Sequence, residues 1–573
     1  MYFLLTMLVE VTLLARHLER NMMDARQKNR AETLLRRLNR FKAVRANWEG
    51  IWQFLAERTD PKNACMNYPH YPGQINNAAQ KFDSTATLAI PKWASAIDGL
   101  TTPKTQKWHG LTLTDKRLSD KFKVYLESAR DVLFARRYAA RSNFTNANYE
   151  ALKTVGHYGG APFSVTRDPL RPKGVLYKTW PIKDFYIDQN FQGDIDTFFR
   201  VYTVTARQAM QEFGEDRVPL EIKNCGNLDE QFEILHAVYP NEEFDPASLN
   251  SMYKRFASVY LSCKSGTIIE EGGFDKCPYL YQRYDVVPSL QDPYGYSPLM
   301  LCLPEVRDLN AMVRDNLRVG NRMGSPTLLM SEDDIINRDQ IAPGRLVAEG
   351  LDANGNPRVK PLELPGNLPF TLEFIKGFQD TVKQTFGLDL FQILINKPDM
   401  TATEVLQRAQ EQATLMTPTT SRREKEFLGP MIEVELDLAF KQGDMPPMPE
   451  ELVEAMSAGD VEFSIEYESP IRRAQNADDG TAVLRVLQSA ASLQAFDPTV
   501  KNMINANRTL EILGDVWGAP VDMFNTPEEK AAMDMNDAQA KQAQLMLEAA
   551  PLIGKSAKDL AQAQVAAGGN KIV

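Results

Sequence analysis

The chain reads as an α+β protein, mainly helical, with most of its strands gathered into one internal block. Apolar residues recur at helical spacing through most of the 573 residues. Between about residues 160 and 290 the pattern changes to alternating apolar and polar residues bounded by Pro and Gly turns, as antiparallel strands require. A hydrophobic fraction of 43% with 24% charged residues allows a sizeable core divided among several domains. The net charge of −10 argues against a protein that wraps duplex DNA in a broadly basic surface, since such binding rests on many Lys and Arg contacts to phosphate.

The opening residues, MYFLLTMLVEVTLLA, lack a basic leader and a small-residue cleavage site and include Glu10. At about 15 residues they fall short of the ~20 that span a bilayer. They are either an upstream extension over residues 1–21, ahead of a start at Met22 or Met23, or an amphipathic helix. From Arg16 to Arg45 ten Lys or Arg residues stand against Glu19, Asp24 and Glu32, and Trp48, Ile51, Trp52 and Leu55 follow at helical spacing. The basic stretch is a contact for DNA or an acidic partner, or a solvated helical face, and the second reading is preferred.

Residues 82–113 open on a Ser/Thr-rich start, continue as an apolar helix to Gly99, and pass through TTP into an aromatic strand. A helical stretch over 116–157 precedes HYGGAPFSV. Strands are then expected within Tyr177–Val204 and in QFEILHAVYP, FASVYLSC and CPYLYQRYDVV. Residues 294–326 read as one long helix with Pro298 and Pro304 near its start and Gly324 and Pro326 at its stop. Its faces are sorted: Val306, Leu309, Val313, Leu317 and Gly320 form an apolar stripe, Arg307, Arg314, Arg318 and Arg322 a basic one, and Glu305, Asp308 and Asp315 an acidic one. Such bordering stripes suit a helix whose neighbours are copies of itself.

Residues 327–369, rich in Pro, Gly and Asn, read as a small module of short strands. Helix resumes over Leu372, Phe374–Phe378 and Val382 and stops at Gly387. After GLDLFQILINKP, Thr401 or Thr403 caps a new helix with Glu404 three residues beyond Thr401. That helix is interrupted near Thr417 and Pro418, returns through EFLGPMIEVELDLAFKQG and ends at Gly443. A strand (VEFSIEYESP), helices over Arg472–Gln494 and Thr499–Gly514, and an Ala-, Gln- and Met-rich tail, helical or flexible, complete the chain.

No motif supports catalysis. The sequence IGKS at 553–556 has Ala549 where a phosphate-binding loop needs its first glycine, and its flank is a helical tail. The five cysteines form no CxxC pair, and the five histidines sit in no ligand spacing. Neither metal nor cofactor is expected, and the chain is not read as an enzyme.

Three stretches in order, DSTATLAIPKWASAIDGLTTPKTQKWHGL, YGYSPLMLCLPEVRDLN and MTATEVLQRAQE, resemble the head-to-tail connecting, or portal, proteins of short-tailed bacteriophages over about residues 24–525. The resemblance implies a wing, stem, clip and crown subunit that assembles into a ring, usually of twelve copies, at one capsid vertex, with DNA passing through its channel. It implies a wing over 22–297, a first stem helix at 298–323, a clip at 324–369 and a second stem helix at 370–386. A tunnel loop at 387–400, a long wing helix and linker at 401–459, a crown at 460–527 and a C-terminal tail at 528–573 follow. Stem interface residues would be Asp308, Arg314, Asp315, Arg318 and Arg322; Gln392, Asn396 and Lys397 would face the channel. The loop's apolar residues leave open a second reading, a buried connector. Arg345, Asp352, Asn354 and Arg358 would form a docking surface on the clip. Implied partners are double-stranded DNA, the terminase large subunit, a tail adaptor, and capsid and scaffolding proteins, in the virion and, during assembly, the host cytoplasm. The alternative is a DNA-binding adaptor or scaffold of the packaging machinery without a channel.

Overall fold

The computed structural model describes residues 2–66, 81–248, 250–290, 292–324, 327–329, 350–361, 368–388, 417–459, 461–468 and 470–493, with a few short pieces beyond. The chain divides into two compact units, one of Met1–Thr114 with Glu127–Ile471 and one of Asp115–Leu126 with Arg472–Val573.

The first unit is α+β, as the residue pattern predicts. Helix α1 (Tyr2–Thr59) and helix α2 (Thr85–Thr101) precede strand β1 (His109–Leu113). Helix α2 continues two residues past Gly99, the expected stop, and ends where Thr102 donates its N–H and hydroxyl back to the Asp98 carbonyl. The expected 116–157 helical stretch is three helices: α3 (Lys116–Lys121), α4 (Lys123–Arg137) and α5 (Phe144–Tyr158). Of these, α3 lies in the second unit, capped by Asp115, whose side chain accepts from the Arg117 N–H at 2.9 Å.

Helix α5 ends on Gly159, with φ of +83°. A Cβ there would lie 2.1 Å from the Gly295 carbonyl oxygen, so both the left-handed backbone and the close approach require glycine. Strands β2 (Gly160–Arg167) and β3 (Val175–Thr179) follow, and with β9 (Tyr279–Arg283) they form an antiparallel sheet ordered β3-β2-β9. A second sheet is an antiparallel meander of β4 (Phe185–Gln189), β5 (Ile195–Thr205), β6 (Gln231–Pro240), β7 (Phe256–Ser262) and β8 (Ile268–Phe274). The β-rich block is thus present as expected, with β8 in addition. Two short helices, α6 (Ala206–Phe213) and α7 (Leu220–Lys223), also escaped the pattern, although Thr205 and Gln208 make a reciprocal capping box at the start of α6 that is readable as TxxQ.

In the basic stretch of α1 the side chains are described from Ala25 onward, where Arg26, Lys28, Arg36 and Lys42 are exposed while the face between them packs on the sheet. Ala31, Leu34, Leu38 and Phe41 are buried against Phe199, Leu235, Val259 and Leu261 of the five-stranded sheet. Cations beside them close over the sheet: Arg37 lies over the rings of Phe199 and Tyr239, Arg30 donates to the Tyr239 hydroxyl at 3.0 Å, and Arg40 pairs with Asp188 at 2.7 Å. Arg45 is 3% exposed, stacks 3.6 Å from the Tyr186 ring centre and donates to the Phe185 carbonyl. Farther along, Trp48, Trp52 and Leu55 are buried as expected, while Ile51 is exposed.

The long helix expected at 294–326 is broken. A single turn, α8 (Pro298–Leu301), is capped by the Ser297 hydroxyl, and α9 (Leu303–Gly324) starts after a non-helical Cys302. Pro304 has no N–H to return to the Met300 carbonyl, so an uninterrupted helix would lose a bond and gain a clash there. Two short strands, β10 (Leu328–Leu329) and β11 (Lys360–Pro361), pair antiparallel, and α10 (Leu368–Thr385) follows and ends before Gly387, whose φ is +62°.

Thr417 and Pro418 are helical, and the residues before them, 401–416, lie outside the described residues. An interruption falls at Glu424–Leu428, a π-turn in which the Gly429 N–H reaches the Glu424 carbonyl. It immediately precedes Pro430, whose missing N–H would have left the α-ladder one bond short. Helix α11 (Gly429–Lys441) then runs to Gly443 at φ of +67°. Helix α12 (Glu450–Ser457) precedes β12 (Phe463–Tyr467), which pairs antiparallel with β1 more than three hundred residues earlier. Helix α13 (Pro470–Leu493) spans the start of the second unit's later part.

Candidate functional site: the α9/α10 helix pair and the core that roots it

The root of the helix pair is polar and specific. Asn310 on α9 is 7% exposed; its Oδ1 accepts from the N–H groups of Phe82 at 2.9 Å and Asp83 at 3.1 Å, while its Nδ2 donates to the Val306 carbonyl. From α10, Gln379 donates to Asp83 Oδ1 at 3.0 Å, and the other Asp83 oxygen caps α2 through the Thr85 N–H. Asp83, first residue of DSTATLAIPKW, therefore ties both helices to the start of α2. Val382 and Phe386 are fully buried, and Phe386 meets Trp93 of α2 edge-on. Composition and periodicity carry no mark of this clamp; Asn310 looked like one more polar residue in a helix.

Away from the root the pair opens to solvent. Val306 and Leu309 are buried, but Leu317 of the same stripe is 54% exposed, as are Met323, Leu372 and Phe374 to similar degrees. Arg318, Arg322, Asp308 and Asp315 are exposed and Arg314 half-buried. The charges pair locally: Arg314 with Asp315 at 3.0 Å, Arg318 with Asp315 at 3.5 Å, and Arg307 with Asp308 at 3.1 Å. The Arg314 hydrogen bond and charge lower the Asp315 pKa.

Beyond α9 the turn at 350–358 is built around Asp352. Its Oδ1 accepts from the N–H groups of Asn354 and Asn356, Gly355 takes φ of +82°, and the Arg358 N–H meets the Gly350 carbonyl at 2.9 Å. The Asp352 carboxylate thus serves its own turn; Asn354 and its neighbours form an exposed tip. Arg345, Gln392, Asn396, Lys397, Thr401, Glu404 and the IGKS sequence lie outside the described residues.

Elsewhere in the first unit, α11 is locked by buried charge. Arg137 and Glu435, with side chains 0% and 2% exposed, form a bidentate pair, and Tyr177 donates to Glu435 Oε1 at 2.6 Å. Burial works against the Arg137 charge, but Glu435 outweighs it and raises the pKa. Arg137 also donates to His109 Nε2 at 2.9 Å; burial and the neighbouring Arg137 hold His109 neutral by pushing its pKa well down. Arg283 grips Glu426 of the π-turn at 3.0 and 2.9 Å. Among the described residues no cluster of three His, Cys, Asp or Glu is placed to hold a metal ion, and no helix is long and apolar enough to cross a membrane.

These features define a structural subunit: a body closed by internal ion pairs, bearing a helix pair rooted in the core and open at its outer face. The model of the bacteriophage head to tail connecting protein family matches residues 31–524, and the chain belongs to that family. It is 25% identical over 559 residues to the portal protein of Salmonella phage epsilon15, covering 94% of each chain. It is 24% identical over 524 residues to a probable portal protein of Bordetella phage BPP-1, covering 89% of this chain and 91% of that one. The resemblance in its three sequence stretches is borne out. The chain is a phage portal protein of the head–tail connection, a structural component of the virion where head meets tail.

Proposed function

We propose that copies of this subunit, twelve by analogy with the family, form a ring whose channel carries double-stranded DNA at one capsid vertex during packaging, retention and ejection. The observation that carries this reading is the α9/α10 pair, where Leu317, Met323 and Leu372 are exposed alongside side chains of both charges. Apolar surface rimmed by charge is what a protein partner covers. A ring interface sets one side of the helix pair against the other side of its neighbour, so Arg314, Arg318 and Arg322 would approach Asp308 or Asp315 of the next copy.

In this reading Gln392, Asn396 and Lys397 face the channel, and one cation per subunit makes a phosphate contact weak enough to break as DNA moves. The net charge of −10 suits such a wall, since a strongly basic one would hold DNA in place. The turn at 351–357 with Arg345, Asn354 and Arg358 docks the terminase large subunit and later the tail adaptor; capsid and scaffolding proteins meet the outer body. The subunit itself is not an enzyme, and terminase supplies ATP hydrolysis from the host cytoplasm during assembly. An adaptor that binds DNA through residues 16–45 is disfavoured, because Arg30, Arg37, Arg40 and Arg45 are engaged on the five-stranded sheet. Native mass measurement tests the proposal: a ring weighs many times 64.6 kDa, and a species that stays at that mass under capsid-assembly conditions sinks it.

A further inference from the structure

Between the end of α4, the β2–β3 turn and the end of α11 lies a cleft of about 680 Å³ that the portal reading does not use. Four cations, Arg136, Arg141, Arg171 and Lys173, line it against two carboxylates, Asp168 and Asp444. The internal pairing is lopsided. Arg136 and Lys173 share the single Asp444 carboxylate at 2.6 and 2.7 Å, and Arg141 reaches Asp168 at 3.4 Å. Arg171 is exposed at the rim. Two positive charges therefore remain unbalanced in one cleft of an acidic chain.

The site is also built rather than accidental. The Arg136 side chain is 9% exposed and is held by Asp444 and the Gln442 amide oxygen, yet its Nε–H is buried without an acceptor. A buried guanidinium donor left unpaired is costly unless something else satisfies it. The β2–β3 turn is tied by its own hydrogen bonds. Asp168 donates its N–H to the Gly174 carbonyl and accepts the Leu170 N–H on its side chain, and a Cβ at Gly174 would lie 2.8 Å from that of Asp168. Arg171 and Lys173 are thus carried on this hydrogen-bonded turn.

We propose that this cleft binds a phosphate group, either free phosphate or a phosphodiester of DNA passing the subunit. Two uncompensated charges match one free phosphate dianion or two successive phosphodiester groups of a DNA strand, and planar guanidinium forks suit their oxygens. This site shares no residue with the α9/α10 surface; its free-phosphate form does not depend on ring formation, whereas its DNA form rests on the channel reading.

The test uses the full-length protein, with its native mass recorded alongside so that a change in assembly is read separately. Inorganic phosphate and a short DNA duplex are titrated in turn by calorimetry. Saturable phosphate binding is expected, weakened roughly tenfold or more by Arg171→Glu, the scale of one charge-assisted contact, and retained in Arg171→Lys. Arg217→Glu, an equal charge change at an exposed ion pair with Glu270 of β8, leaves it unaltered. Duplex binding that phosphate displaces assigns the site to the DNA backbone; phosphate binding without duplex binding assigns it to free phosphate. Absence of saturable binding by either probe overturns the inference, as does an equal loss in Arg217→Glu and Arg171→Glu, or binding of polyglutamate with none of phosphate.

Discussion

The buried charge around Glu435 and the open charge along α9 use the same residue types to opposite ends. Glu435 has Arg137 and Tyr177 within one subunit, in a site that water does not reach. Asp315 has Arg314 and Arg318 on its own helix at the surface, with Leu317 exposed between them. Removing a partner from the first leaves an uncompensated charge in a dry core. Removing one from the second changes a solvated pair worth a few tenths of a kcal/mol. Stability therefore resides in the body, and the helix pair is free to be selected for what it meets.

The sharpest way to break that contrast is at Glu435. Glu435→Gln keeps the shape and strands Arg137, and it should lower stability by about 3–5 kcal/mol, read from the urea midpoint. A loss below about 1 kcal/mol would mean that the pair is no more structural than those on α9.

Acid probes the same body through His236, whose Nδ1 bonds the Tyr279 hydroxyl at 2.8 Å and whose Nε2 bonds Ser258 Oγ at 2.9 Å. Burial, helped by Arg200, lowers its pKa from the ordinary 6.5 to about 3. The unfolded chain takes up this proton first, so the stability due to neutral His236 is complete above pH 6.5 and is lost as pH falls toward 3, on the order of 5 kcal/mol in all. In His236→Gln the decline in urea midpoint across that window should be shallower. An unchanged slope would place the acid sensitivity elsewhere, with His157, also lowered to about 4 by burial, the next to change.

What was legible in the sequence follows from range. The β6 boundaries matched because QFEILHAVYP carries its own alternation, and the stop at Gly443 because a glycine at positive φ is a local device. The break at Cys302 and the π-turn before Pro430 were hidden because a proline shows that a bond is missing and not which turn absorbs it. Pairing of β12 with β1, the Asn310–Asp83 clamp and the Arg137–Glu435 pair join residues hundreds apart or single polar side chains without period. Of the candidate site, the stripes on α9 were readable and their partial burial was not, since only the fold decides that Leu309 is covered and Leu317 is not.

At the open surface the expected effect falls on assembly. Arg314→Glu should leave the monomer's urea midpoint within about 0.5 kcal/mol and reduce ring yield. Asp315 already pairs with Arg314 on the same helix, so rescue by Asp315→Arg would not distinguish a local pair from one between copies. Asp308 pairs instead with Arg307, and Asp308→Arg is the discriminating partner. Restored rings in Arg314→Glu with Asp308→Arg, seen by native mass, sharpen the interface reading; a ring yield unchanged by Arg314→Glu reduces the stripes to solvated pairs.

The smallest structural effect belongs to the turn at 351–357. The Arg358 N–H already meets the Gly350 carbonyl at 2.9 Å, so the ends flanking LDANGNP stand side by side, and deletion of these seven residues asks the chain to close only a short gap. The residues lost are exposed or half-buried, and Asp352 serves amides within the deleted turn, so no core contact is given up. Long or short, such surface loops contribute little to closing the fold. Subunit stability and ring mass should be unchanged, whereas capture of terminase or the tail adaptor by the assembled protein should weaken if the turn is a docking surface. Loss of soluble protein would make the turn part of the core. Unaltered capture with intact rings would move the docking surface away from this tip.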